Sequence, residues 1–86
     1  MEEIVFLNGS LVPKGDAKIS IDDRGFLLGD GVFETMRSYG GKVFRLDKHL
    51  KRLFDSLAII HLQIPYQQEE LAQAVYDTLK TNQLQE

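Results

Sequence analysis

The spacing of apolar residues changes twice along the chain, and each change marks a new kind of element. Ile4 to Leu7 is a short apolar run stopped by Asn8-Gly9, and Leu11-Val12 resumes before Pro13, which predicts a hairpin turned on Asn-Gly. After a second turn at Lys14-Gly15-Asp16, Ala17, Ile19 and Ile21 alternate with Lys18 and Ser20, as in a half-buried strand. Asp22-Asp23-Arg24-Gly25 breaks that pattern, the two carboxylates setting a turn by side-chain to backbone hydrogen bonds. Phe26, Leu27 and Leu28 then sit between glycines, too few for a full helix, and predict an irregular or single-turn segment. From Val32 to Tyr39 the period is two again, with Val32, Glu34, Met36 and Ser38 on one face and Phe33, Thr35, Arg37 and Tyr39 on the other. Gly40-Gly41 is a tight turn, and Lys42 to Arg45 returns as the partner strand.

Beyond Arg45 the period becomes helical. Asp47 is placed as an N-cap, and Leu50, Leu53, Phe54, Leu57 and Ile60 recur at three- and four-residue steps as a buried stripe. His49, Arg52 and Ser56 form a second stripe beside it. Pro65 pushes the preceding residue out of the helical region, so the pattern breaks over Leu62 to Pro65. A second helix is predicted from about Gln68 to Asn82, with Leu71, Ala74, Val75, Thr78 and Leu79 inward and Glu69-Glu70 in the first turn, where negative charge suits the helix dipole. The expected fold class is α+β: an antiparallel, hairpin-built sheet covered on one face by two helices.

Composition narrows the partners more than the fold. The 86 residues are 43% hydrophobic and 27% charged, close to soluble-protein averages, and make one domain of modest stability. A net charge of -3 gives no general attraction to nucleic acid or to an anionic membrane. The absence of cysteine removes disulfides, thiolate nucleophiles and cysteine-ligated zinc. The acidic start lacks the apolar core of a signal peptide, and no apolar run is long enough to span a bilayer, so a cytoplasmic protein is expected.

Two arginines are the candidate chemistry. Arg52 lies beside the apolar stripe, where a permanent charge needs an anionic partner: a bound phosphate or carboxylate, or else Asp55, Glu34 or solvent. Arg37 shares a strand face with Phe33, Thr35 and Tyr39, a surface with apolar walls and a few polar groups, which suits a ligand wall or an ordinary exposed strand. His49 and His61 stand too far apart for a helical metal pair, so no metal site is assigned. Gly29-Asp30-Gly31 lacks the spacing of a phosphate loop and reads as a backbone turn.

Several spaced words in fixed order carry a resemblance. Asn8-Gly9 with Val12, then Ala17, Ile19, Asp23-Arg24-Gly25-Phe26 and Gly29-Asp30-Gly31-Val32-Phe33-Glu34-Thr35-Met36-Arg37, then Phe44-Arg45-Leu46, His49-Leu50, Arg52-Leu53 and Ser56, resemble the N-terminal part of the class IV aminotransferases. These are fold type IV pyridoxal phosphate enzymes, among them branched-chain aminotransferases, D-amino-acid aminotransferases and aminodeoxychorismate lyases. The resemblance implies pyridoxal 5'-phosphate as cofactor, with Arg52 holding its phosphate, and a substrate wall of Phe33, Thr35 and Arg37. It also implies that residues 1–86 are the small N-terminal domain of a longer enzyme, inactive alone. The lysine that holds the cofactor, and the acidic partner of its ring nitrogen, would belong to a following catalytic domain, and no catalytic residue is assigned within the chain.

For the whole enzyme the resemblance implies a small amino substrate, a homodimer, and no nucleic-acid or membrane partner. The D-amino-acid enzymes tend to carry tyrosine at the position of Phe33, and branched-chain enzymes usually read F-E-G-I-R where this chain has Phe33 to Arg37. The Phe33-Glu34-Thr35 form is similar to that of some aminodeoxychorismate lyases, and a narrower, more cationic wall suits a flat dicarboxylate. The expected activity is therefore release of pyruvate from aminodeoxychorismate to leave 4-aminobenzoate, a step of folate biosynthesis. The alternatives are amino-acid transamination and, from another class, a free-standing α+β protein-interaction module.

Overall fold

The computed structural model describes residues 2–83. Ile4–Leu7 (β1) and Ser10–Pro13 (β2) pair antiparallel with Leu7 opposite Ser10, leaving Asn8-Gly9 as a two-residue turn. Both turn residues have positive φ, 50° at Asn8 and 88° at Gly9, the geometry whose twist matches the flanking strands. A second ribbon pairs Ser38–Tyr39 (β3) with Lys42–Val43 (β4) across Gly40-Gly41, whose φ values of 55° and 80° repeat the same solution. The hairpins are as expected, but the two ribbons stay separate two-stranded sheets rather than one. Most of the expected Val32–Tyr39 strand pairs with no other strand among the described residues, and its backbone is tied near the end, where Phe44 N–H donates to the Arg37 carbonyl at 2.8 Å.

Ala17–Ile21 is a correction. Alternation there predicts a strand, but none forms, because no edge among the described residues pairs with it and Ile19 and Ile21 face outward. Arg24–Leu28 is a single five-residue turn of helix (α1), as its short apolar run between glycines implies. Of the two aspartates before it, Asp23 makes the cap, its Oδ2 accepting from Gly25 N–H at 2.9 Å. Asp22 instead donates its backbone N–H to Ser20 Oγ.

Leu46–Ile59 (α2) and Gln68–Thr81 (α3) carry the core. The first starts one residue before the expected Asp47 cap. Arg45 turns left-handed at φ 55°, so that Leu46 can enter the core as the first helical residue, and Asp47 falls inside the first turn, where its charge still suits the dipole. Its C-terminus is a Schellman motif with His61 in the left-handed position: His61 N–H donates to Ala58 O and Leu62 N–H to Leu57 O. The helix therefore ends on this motif, ahead of the proline.

The second helix opens with Glu70 reaching back to its cap: the Glu70 carboxylate accepts from the Gln67 N–H at 2.8 Å, and the Glu70 N–H donates to the Gln67 backbone carbonyl at 3.1 Å. It ends on Asn82, whose side chain accepts from Ile4 N–H at 2.7 Å and donates to Ile4 O at 2.7 Å, stitching β1 to the helix end. Val43, Leu46 and Leu50 form the buried centre, with Met36, Leu53, Leu71, Ala72, Val75 and Leu79 packed around it. This core is thin: the chain exposes 6994 Å2, against the roughly 5,200 Å2 that size scaling gives a monomer of this mass. Its extents of 36 × 30 × 18 Å describe a slab about one helix layer deep.

Candidate functional site

The extended segment from Val32 to Ser38 positions the site. Its period-two pattern survives without a pairing strand: Val32, Glu34, Met36 and Ser38 are half-buried against the helices, while Phe33, Thr35 and Arg37 are exposed. Met36 anchors the inner face in the core, and that fixes Glu34 one step earlier over α2. On α2, His49 and Arg52 stand three residues apart and so share a face.

Glu34 meets both. Its Oε2 accepts from Arg52 Nε at 2.9 Å and its Oε1 from Arg52 Nη2 at 2.6 Å, a side-on bidentate pair. Oε1 also lies 2.6 Å from His49 Nδ1, and since a carboxylate only accepts, the imidazole carries its proton on that nitrogen. The Arg52 guanidinium, and after it His49, hold the Glu34 carboxyl at about 2, below the usual 4.5, and the same carboxylate raises Arg52 further. The carboxylate side chain is 10% exposed and the arginine 67%, so the pair has an inner acid and an outer base. A small cavity of about 260 Å3 opens on the outer side, lined by Arg45, Lys48, His49 and Arg52.

Arg52 thus has the protein partner that its position beside the core requires, yet is not used up by it. A guanidinium has five N–H donors, and Glu34 takes two. The donors left over, in a cavity that Lys48 also lines, are a set that fits a phosphate or carboxylate. Of the protein partners the sequence offers Arg52, the structure selects Glu34 and not Asp55, which pairs with Lys51; the contact of His49 with Glu34 and the place of Lys48 are what sequence reasoning passes over. The signal is present: a carboxylate on the inner face of a half-buried strand requires a cation, and the helix offers one beside the core stripe.

Phe33, Thr35 and Arg37 lie together on the outer face of the segment, the side opposite Glu34. Phe33 and Arg37 also line a larger, mainly apolar cavity of about 540 Å3 between the segment and the helices, with Leu53, Leu71 and Val75 on its far wall. The three residues are alike exposed, Phe33 and Arg37 but not Thr35 line this cavity, and none of the three lines the cationic one. His61 lies outside this group, in the turn that ends α2.

The family model for amino-transferase class IV matches residues 31–86, a stretch that holds Glu34, Arg37, His49 and Arg52. A putative branched-chain-amino-acid aminotransferase of Methanocaldococcus jannaschii is 45% identical over 82 residues, covering 95% of this chain and 28% of its own length. A D-alanine aminotransferase of Staphylococcus haemolyticus is 41% identical over 81 residues, covering 94% and 29%. Among solved structures, the branched-chain aminotransferase of Thermoproteus uzoniensis with norvaline superposes with a TM-score of 0.91 at 39% identity, over 100% of this chain and 30% of that one. The T.th. branched-chain amino acid aminotransferase complexed with N-(5'-phosphopyridoxyl)-L-glutamate gives 0.90 at 30% identity, over 99% and 30%. The chain spans less than a third of the length of these relatives. With the family model covering more than half of the residues and the fold shared throughout, the chain belongs to the class IV aminotransferases.

Proposed function

We propose that this chain is the small N-terminal domain of a pyridoxal phosphate-dependent amino-acid transaminase, with Arg52 as its contact to the cofactor phosphate. The observation that carries the reading is the cationic cavity of Arg45, Lys48, His49 and Arg52, a charge-assisted anion site within the stretch the family model matches. Relatives named as branched-chain and D-alanine aminotransferases favour transamination over the aminodeoxychorismate lyase activity suggested by the Phe33-Glu34-Thr35 form. The cofactor, when bound, supplies an electron sink for the pair left as the substrate's α C–H bond breaks. The chain's own residues bind and orient. Arg52 donates to the phosphate, Phe33 and Thr35 form the wall facing the substrate side chain, and Arg37 offers a cation to a substrate carboxylate. In this reading the lysine that moves the α proton and the acidic partner of the ring nitrogen lie outside these 86 residues, and the whole enzyme works as a homodimer.

The test is made in the longer protein that carries this chain. Arg52→Ala is expected to weaken cofactor retention roughly ten- to a hundredfold, the value of a charge-assisted contact. Absorbance of the cofactor after dialysis against phosphate buffer reads this, and retention equal to the parent overturns the assignment. On the same preparation, leucine and D-alanine with 2-oxoglutarate should turn over. Pyruvate release from aminodeoxychorismate without either transamination restores the lyase reading.

A further inference from the structure

Arg52 is two-thirds exposed, yet its guanidinium is held at two points. A free arginine head at such a site samples many rotamers, and each must be given up when an anion is bound. Glu34 removes that freedom in advance. It grips the Nε and Nη2 edge of the guanidinium plane, so the remaining donors lie on the opposite edge and the outer end, beside Lys48 and His49. His49 holds Glu34 in turn, its Nδ1 sharing Oε1 with Arg52 Nη2. Met36, on the same inner face, ties the segment that bears Glu34 to the core.

We propose that Glu34, braced by His49, is the positioning residue for Arg52: it fixes the plane in which the guanidinium presents its free N–H groups to the cofactor phosphate. This rests on the assignment of Arg52 to that phosphate. Two effects of Glu34 oppose each other. Its negative charge, close to the site, lowers the attraction for an anion, whereas its grip on the guanidinium raises affinity by preorganisation. If the carboxylate were only a counter-charge occupying an idle arginine, removing it would tighten anion binding. A positioning carboxylate gives the opposite sign.

The sign is read with pyridoxamine 5'-phosphate, whose amine cannot form a covalent link to a lysine, titrated by fluorescence into the cofactor-free longer protein. Glu34→Asp keeps the charge and retracts the carboxylate by one methylene, while Glu34→Gln keeps the shape and removes the charge; Arg52→Ala serves as reference. Both Glu34 variants are expected to bind about tenfold more weakly, the lower end of what loss of an orienting partner costs at metal sites. In 15N–1H spectra the Arg52 Nε–H, slow to exchange in the parent, should become fast in Glu34→Asp even without ligand.

Tighter or unchanged binding in Glu34→Asp and Glu34→Gln, with Arg52→Ala weakened, overturns the positioning role and leaves Arg52 as the phosphate contact. Unchanged binding in Arg52→Ala removes the phosphate assignment itself and this proposal with it. Should Glu34→Gln fail to fold, Glu34→Asp alone carries the decision, because its net charge is that of the parent.

Discussion

Two regions of this molecule are built by the same local chemistry and end in opposite situations. The helical half, from Arg45 to Gln83 with the β3–β4 ribbon, and the arm, from Ala17 to Phe33, are both shaped by turn glycines, left-handed residues and side-chain caps. In the arm, Asp23 caps α1, Gly29 closes it at φ 72°, and Arg24 reaches Asp30 with Nε at 2.9 Å and Nη2 at 2.6 Å. Yet Ile19, Ile21, Phe26, Leu27, Leu28 and Phe33 are all between 59% and 87% exposed, whereas Leu50 and Leu57 in the helices are 4% exposed. Hydrogen bonds and glycines set the course of a backbone; they do not supply its burial. The arm has a defined course and an apolar surface with no partner among the described residues, which is the condition of a segment made to lie against something else.

The largest effect that tests this contrast comes from the helical half. Leu50→Ala empties the centre of the Val43–Leu46–Leu50 cluster and should cost about 2–5 kcal/mol. A chain of this length has in total about 4–13 kcal/mol at the usual stability per residue, and so thin a core belongs at the low end. The variant should therefore be largely unfolded at 37 °C by far-ultraviolet circular dichroism. A melting temperature within a few degrees of the parent would mean that the stabilising contacts lie elsewhere, and the comparison between the two regions would fail.

A smaller effect is expected at the seam, where Glu34 joins the segment leaving the arm to α2. Its carboxyl is held at about 2 by Arg52 and His49, below the 4.5 of an unpaired group. The folded pKa is the depressed one, so the stabilisation from this group is fully present above about pH 4.5 and is lost as pH falls toward 2. The parent should show a sloping acid limb in that window, and Glu34→Gln should be less stable than the parent at neutral pH but show a flatter limb. Equal slopes in the two proteins would show that Glu34 is not held by its partners in solution.

The difference between the regions also explains what is legible in the sequence. Both helices, the inward residues of α3 and the Asn8-Gly9 and Gly40-Gly41 turns can be read directly, because a buried stripe or a pair of residues tolerant of positive φ has a local signature. The Ala17–Ile21 segment misleads for the complementary reason: alternation records which side of a segment is meant to be covered, and the cover need not be a neighbouring strand of the same chain. The start of α2 is displaced because Arg45 takes a left-handed turn that nothing in its side chain announces.

At the site, Arg52 is identifiable from its place beside the core stripe. Glu34 is among its candidate partners in the sequence, but the choice of Glu34 over Asp55 and the part of His49 depend on how an unpaired segment lies across a helix, which no spacing along the chain records. The shared exposure of Phe33, Thr35 and Arg37 is legible, since period two alone puts them on one face.

The smallest effect is also the one that defines the arm. Phe26→Ser, in the 86-residue chain by itself, should change stability by less than about 0.5 kcal/mol, because a side chain already 70% exposed has little burial to lose. In the longer protein the same substitution should cost about 1.5–3 kcal/mol, the value of covering a phenylalanine, since there the arm would lie against the length that this chain does not span. The isolated chain, with the arm uncovered, should self-associate as its concentration rises in a sedimentation series, and Phe26→Ser should lessen that association. Equal destabilisation in both contexts would mean that Phe26 packs within these residues. No destabilisation in either, together with a strict monomer at all concentrations, would leave the arm an ordinary solvated loop and favour a self-sufficient module.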